Sequence, residues 1–145
     1  MTNVFGYVTS RPFGKFIMPV PAQNSCIREY VNKIGGTYIL PPLEHKFEAC
    51  YMQLYSILPK IKSGDILAMY SMEMVLESNK AIEGLNKVFS SGGEVYFVLE
   101  AKKISTAEHF KTIVREAKLT KLTLSKTALL ERMALSVEHE ATLTL

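Results

Sequence analysis

The chain has 145 residues, 48% of them hydrophobic and 21% charged, with 17 Lys+Arg against 14 Asp+Glu and a formal net charge of +3. That length and apolar fraction suit a single domain of residues 1–145 with a sizeable core, and they exclude wholesale disorder. No run approaches the roughly 18 apolar residues of a membrane span, and the start MTNVFGYVTSRPFGK has no apolar signal core, so a cytoplasmic protein without a membrane span is expected. Outside Lys102–Lys103 and the stretch from Lys111 to Lys126 the cations are scattered. A duplex-binding surface gathers them on one face, so nucleic acid is not an expected partner.

Four runs rich in β-branched and aromatic residues read as strands: Val4–Thr9, Thr37–Leu40, Ile66–Tyr70 and Val95–Leu99. Their nearly continuous apolar character fits strands buried on both faces of a parallel sheet. The first crossover repeats Ile27, Tyr30, Val31 and Ile34 at helical spacing, with Pro19 and Pro21 at its first turn and Gly35–Gly36 at its end. The second places Phe47, Cys50, Tyr51, Leu54 and Leu58 on one helical face, closed by Pro59. The third starts at Ser78 as N-cap and runs through Ile82, Leu85, Val88 and Phe89 to Gly92–Gly93. This β-α-β-α-β-α-β order predicts an α/β domain with a mostly parallel four- to five-stranded sheet and helices on both faces.

After Ser105–Thr106 a helix is expected through Phe110, Ile113, Val114 and Ala117. Leu122, Leu129, Leu130 and Met133 then form a final helix packing on the sheet or on a second copy, a possible homodimer through the C-terminal helices. Ala141–Leu145 reads as a frayed tail or an added edge strand. Residues 105–145 are thus a helical extension on a core of residues 1–104. Cys26 and Cys50 sit in apolar patterns without C-x-x-C spacing and read as small buried hydrophobes rather than a disulfide.

Ligands of open α/β sheets bind beyond the carboxyl ends of the strands. There the first strand leads into Ser10 and Arg11, the third into Ser71 and Glu73, and the fourth into Glu100. Arg11 can hold a phosphate or carboxylate bidentately, or serve as a structural fork on loop carbonyls. Gln23 and Asn24 can meet a sugar hydroxyl or a base edge, although Asn24 can equally cap its helix. Arg28, one turn on, faces the same crevice or forms a surface ion pair with Glu29 or a neighbour. Ser10 and Ser71 have no histidine nearby in sequence and read as hydrogen-bonding groups. Glu73 and Glu100 read either as an acid and a base across the cleft or as solvated carboxylates. The ligand-binding set is therefore Ser10, Arg11, Gln23, Asn24, Arg28, Ser71 and Glu100. His45, His109 and His139 stand apart without metal-ligand spacing, and no G-x-G-x-x-G or G-x-x-x-x-G-K-[ST] occurs, so neither a metal nor a cofactor is expected.

Gly6-Tyr7, the Gln23–Gly36 helix, Ser63-Gly64-Asp65, Ile66–Ser78 and Ser105-Thr106 follow the order of the serine recombinase (resolvase) catalytic domain over residues 4–106. That resemblance implies a resolvase-like fold. The family's G-Y-x-R-x-S-T strand end would put its nucleophilic serine where Arg11 stands and its arginine where Thr9 stands. The arginines of its K-L-D-R-L-G-R-S stretch are missing from Ser71–Ser78, and a further one is replaced near Tyr51. Without those cations a transferring phosphate goes unstabilised, so recombinase activity is not expected.

A second resemblance rests on Gly6-Tyr7-Val8-Thr9-Ser10-Arg11-Pro12-Phe13-Gly14, on Ile17-Met18-Pro19-Val20-Pro21-Ala22-Gln23-Asn24 with Arg28 and Tyr30 behind, and on Cys50-Tyr51-Met52, Tyr70-Ser71 and Leu99-Glu100. These look like the sporadic carbohydrate cluster proteins, encoded among bacterial genes for surface-polysaccharide and lipopolysaccharide assembly. That resemblance implies a role in carbohydrate biosynthesis, with a sugar phosphate or nucleotide sugar as partner and the reaction open. The alternative is a non-catalytic resolvase-fold module for dimerisation or partner docking, with Met69, Met72 and Met74 as part of its contact surface.

Overall fold

The structure, a computed structural model, describes residues 2–14 and 17–144, and side chains as far as residue 136. The side chain of His139, and Leu145, lie outside the described residues. The chain divides into two compact units, residues 1–110 and 111–145.

The first unit is built on a five-stranded sheet of order β2-β1-β3-β4-β5. Its strands are β1 (Asn3–Tyr7), β2 (Thr37–Ile39), β3 (Ile66–Met69), β4 (Glu94–Phe97) and β5 (Lys102–Ile104). The first four are parallel, and β5 returns antiparallel on β4, with Val95 opposite Ile104 and Phe97 opposite Lys102. The β4–β5 turn places Ala101 at φ +52°, a left-handed conformation that is costly for a residue with a Cβ. This edge strand, Lys-Lys-Ile, is too short and too charged to stand out in the sequence as apolar alternation.

Alternation along the strands sends Val4 and Val8 of β1 and its extension, with Ile66 and Ala68 of β3, to one face, where they pack with Ile27 and Val31 of α1 (Val20–Ile34). Tyr38 and Tyr96 pack against the same cluster, and Tyr96 stacks on Tyr30 with ring centroids 3.7 Å apart. Tyr7, Leu67, Met69, Val95 and Phe97 take the opposite face. On that side α2 (Met52–Ile57) contacts β1, and α4 (Asn79–Ser90) contacts β4. Helices therefore cover both faces, as the sequence predicts. Gly6 is needed where it stands, since a Cβ there would lie 2.5 Å from the Tyr38 hydroxyl oxygen.

Several boundaries differ from expectation. The strands end at Tyr7, Ile39, Met69 and Phe97, and at the first two ends other groups take over. Gln23, for example, takes both backbone groups of Thr9, and Pro41–Pro42 follow Leu40. The second crossover is not one helix from Phe47. Phe47 is 74% exposed, Ala49 has φ +54°, and only Met52–Ile57 is helical before a single 3-10 turn at Leu58–Lys60. A short α3 (Glu73–Leu76) precedes α4, and Met69, Met72 and Met74 are buried in the core rather than presented to a partner. The capping signals hold: Ser78 accepts from Ala81 N at 3.1 Å, and Gly35 ends α1 in the left-handed conformation. α5 (Ala107–Thr144) starts at Thr106, whose Oγ1 accepts from His109 N, and continues as one helix through the expected tail segment to Thr144. Phe110 packs on Phe89 and Phe97.

Candidate functional site

The direction of connection reverses between β1 and β3, because β2 lies on one side of β1 while β3 and β4 lie on the other. In open α/β sheets the crevice at such a switch point, outside the carboxyl ends of the strands, is the ligand position. The segments leaving these ends are Val8–Gly14 after β1, Tyr70–Glu73 after β3 and Val98–Ala101 after β4. Two more strand-like bonds hold the latter pair together, Val98 N to Met69 O at 3.0 Å and Leu99 N to Tyr70 O at 2.7 Å.

Gln23 sets the first segment. It is fully buried, accepts from Thr9 N at 3.3 Å, and donates through Nε2 to Thr9 O at 2.7 Å and Met18 O at 2.8 Å. It thereby clamps the strand end to the loop before α1, and all three of its bonds go to backbone. Thr9 in turn accepts from Arg11 N through Oγ1 at 3.2 Å. Phe13, 3% exposed, then packs tilted against Tyr70 at 6.1 Å. Gly14 lies so close to Glu73 that a Cβ would meet its carboxylate at 3.0 Å. The Ser10–Gly14 segment thus folds over the end of β3.

Arg11 turns into the protein. It is 9% exposed, with Nη1 donating to the Cys50 carbonyl, Nη2 reaching the Tyr7 hydroxyl at 3.5 Å, and the guanidinium 4.4 Å from the Tyr51 ring centroid. Arg11 is one of the departures from the recombinase pattern, and it contacts Tyr51, near which another is expected. The Tyr7 hydroxyl donates at 2.8 Å to Glu44, 1% exposed and unforeseen from sequence. Glu44 also accepts from His45 N, Gln53 N and Leu54 N. It serves as the cap that Tyr51, the N-cap residue of α2, has no side-chain acceptor to provide. Burial and the adjacent Glu44 carboxylate push the Tyr7 phenol far above its ordinary value, despite Arg11. Nothing local marks Glu44 in the sequence, since its neighbours from Pro42 to Ala49 are exposed and its partners come from other segments.

Ser71 and Glu100 form a second group. Ser71, fully buried, donates to Glu100 Oε1 at 2.7 Å and accepts from Glu73 N at 3.2 Å, while Met72 N adds a bond to the same Oε1 at 3.0 Å. Glu100 Oε2 and Ser10 Oγ are buried with no hydrogen-bond partner among the described residues. Asn24 and Arg28 form a third group around Tyr38. The Tyr38 hydroxyl donates to Asn24 Oδ1 at 2.7 Å, and the Arg28 guanidinium stands 5.8 Å from the Tyr38 ring. Burial raises the Tyr38 phenol to about 12. Asn24 is therefore no helix cap, and Glu29 pairs with Lys33 at 3.8 Å rather than with Arg28. The seven sequence-predicted residues thus fall into an inward anchor, a backbone clamp, a tyrosine-centred pair and a strand-end pair with Ser10.

Cys26 and Cys50 are free and half-buried. Among the described residues no group of three His, Cys, Asp or Glu side chains is placed to hold a metal, and no helix is long and apolar enough to cross a membrane. A separate concavity of about 630 Å³, lined by Tyr55, Pro59, Lys80, Glu83 and Lys87 among others, contains none of the predicted site residues.

No protein-family model matches the chain, and no curated protein matches it. Solved structures do. The N-terminal catalytic domain of TP901-1 integrase is similar with a TM-score of 0.59 and 14% identity, covering 85% of this chain and 98% of that one. A resolvase family site-specific recombinase from Streptococcus pneumoniae is similar with a TM-score of 0.57 and 9% identity, covering 91% of this chain and 98% of that one. The fold is thus resolvase-like.

Proposed function

We propose that this chain is a ligand-binding protein of bacterial surface-polysaccharide or lipopolysaccharide assembly, carrying the resolvase-like fold without strand-transfer chemistry. Its ligand is a sugar derivative, such as a sugar phosphate or nucleotide sugar, received at the carboxyl ends of β1, β3 and β4. The observation that carries the reading is the pair of buried oxygens without partners, Ser10 Oγ and Glu100 Oε2. Buried polar atoms in folded proteins are nearly always bonded, so two exceptions on segments leaving the carboxyl ends of one sheet support a ligand at that end. The inward engagement of Arg11 supports the loss of recombination, since that position carries the nucleophile in the recombinase pattern. The test is a thermal-shift panel of nucleotide sugars, sugar phosphates, free nucleotides and duplex DNA, because a ligand that binds only the folded state raises its stability by mass action. A rise with one sugar class is expected. A rise with duplex DNA alone, falling steeply with salt, overturns the reading.

A second reading, a non-catalytic module that self-associates through α5, is favoured by a different observation. Leu119, Leu122, Leu124, Leu129, Leu130, Met133 and Leu135 are each more than half exposed, and Leu119, Leu122, Leu129 and Met133 fall on the three-and-four spacing of a coiled-coil seam. Light scattering should then give a dimer that Leu129→Glu converts to a monomer. A wild-type monomer at high concentration removes this reading.

A further inference from the structure

The concavity of about 630 Å³ shares no lining residue with the strand-end segments and is formed by α4 and the stretch that runs from α2 toward β3. A volume of that order is in the range that holds a ligand. Its floor is apolar. Leu58 and Ile61 are buried, and Gly84 of α4 admits no side chain, since a Cβ there would lie 3.1 Å from Leu58 Cδ1 and 3.4 Å from the Tyr55 ring. Glycine is unfavourable inside a helix, and here it lets α4 close against Tyr55 and Leu58.

The rim is charged. Lys80, Glu83 and Lys87 follow one another along α4 at spacings of three and four and all line the groove. They therefore share one side of the helix, with the two lysines about 10 Å apart along its axis and the glutamate between them. Opposite charges at these spacings commonly pair. Here none of the three does so, the ion pairs among the described residues being Lys33–Glu29 and Lys103–Glu94. Lys80 instead stands over the Tyr55 ring, with Nζ 5.6 Å from its centroid.

We propose that this groove is a docking site for an acidic peptide that carries an apolar side chain between two carboxylates, a surface separate from the strand-end ligand site. The rim reads plus, minus, plus above an apolar floor. An anion is attracted at either end and repelled at the centre, so the complement is acidic at both ends and uncharged in the middle. The middle side chain rests on Leu58 and Ile61, where its burial adds the apolar part of the affinity. A compact anion such as phosphate answers one end of this pattern and leaves the floor empty. Exposed lysines each contribute little and are screened by salt, so docking is weak and salt-dependent.

The test pans the immobilised full chain with a phage library of random dodecapeptides, then titrates the most enriched sequence, as a synthetic peptide, into the 15N-labelled full chain. Enriched sequences should carry acidic residues on both sides of an apolar one, and the amides of Tyr55, Gly84 and Lys87 should shift on titration. Lys80→Ala and Lys87→Ala should each weaken the peptide about threefold, and the double variant Lys80→Glu with Lys87→Glu should abolish binding. Both lysines are exposed, so the thermal unfolding midpoint of these variants should stay at the wild-type value. Glu83→Gln should bind the peptide at least as well as wild type. The proposal is overturned by a library without enrichment, by enriched sequences lacking the flanking acids, or by a double variant that binds as wild type does. Shifts confined to α5, whose stretch from Lys111 to Lys126 is the other basic surface, overturn it as well.

Discussion

Glu44 and Glu100 are both carboxylates held against the sheet by a hydroxyl from a neighbouring segment, and the protein treats them oppositely. Glu44 is saturated, with Oε1 accepting from His45 N and Oε2 from the Tyr7 hydroxyl, Gln53 N and Leu54 N. Glu100 is half-saturated, with every bond on Oε1 and Oε2 buried without a partner. A charge whose lone pairs are all used acts as an internal joint, here tying β1, the loop after β2 and α2 together. A buried carboxylate oxygen left without a donor contributes less to the fold than one that is bonded, and under the proposed function it is the group a ligand completes.

Removing the saturated carboxylate should have the largest effect. Glu44→Ala leaves the Tyr7 hydroxyl and three backbone N–H groups without an acceptor and strips α2 of its cap. A loss of about 3–5 kcal/mol is expected from urea unfolding, in the range for breaking a buried charged network. A loss below about 1 kcal/mol would mean that the joint is replaceable by water, and the contrast with Glu100 would collapse.

The next effect is on the alkaline side. Tyr7 is raised far above its ordinary value of 10.0 by burial and by Glu44, and Tyr38 is raised to about 12 by burial. A group whose folded pKa is raised binds its proton more tightly in the native state. The stability it contributes is therefore complete below pH 10 and is lost as pH climbs through the folded value. Unfolding midpoints should fall steadily above pH 10, and Tyr7→Phe should flatten that fall while Tyr38 remains. A midpoint flat to pH 12 in the wild type would show that these phenols ionise freely in the folded state.

The legibility of the two regions differs for the same physical reason. Strand and helix order came from periodicity, and the caps at Ser78 and Gly35 from local chemistry, because those signals reside within a few residues of one another. Ser71 and Glu100 are legible because topology alone sends them to adjacent strand ends. The Glu44 joint is not legible, because its partners, Tyr7, Gln53 and Leu54, arrive from different segments, and a carboxylate among exposed residues looks like solvated surface. The position of Arg11 is legible but not its direction, which depends on the Tyr51 ring and the Cys50 carbonyl brought in by the second crossover. β5 escaped because an edge strand of three residues, two of them lysines, carries no alternation to read.

The smallest expected change in stability sharpens the comparison most. Glu100→Gln preserves an acceptor for Ser71 Oγ and Met72 N while replacing a buried, open carboxylate oxygen with a neutral amide. The fold keeps both existing bonds, weakened from charge-assisted to neutral, and is relieved of part of a desolvated charge. These opposing changes should leave unfolding free energy within about 1 kcal/mol of wild type, on either side of zero. The same chemical change at Glu44 has no such relief, because every oxygen there is already answered and an amide nitrogen would face donors from Gln53 or Tyr7. Glu44→Gln should therefore cost clearly more than Glu100→Gln in parallel urea titrations. Equal costs would show that Glu100 is as much a structural joint as Glu44 and would remove the physical ground for placing a ligand on it.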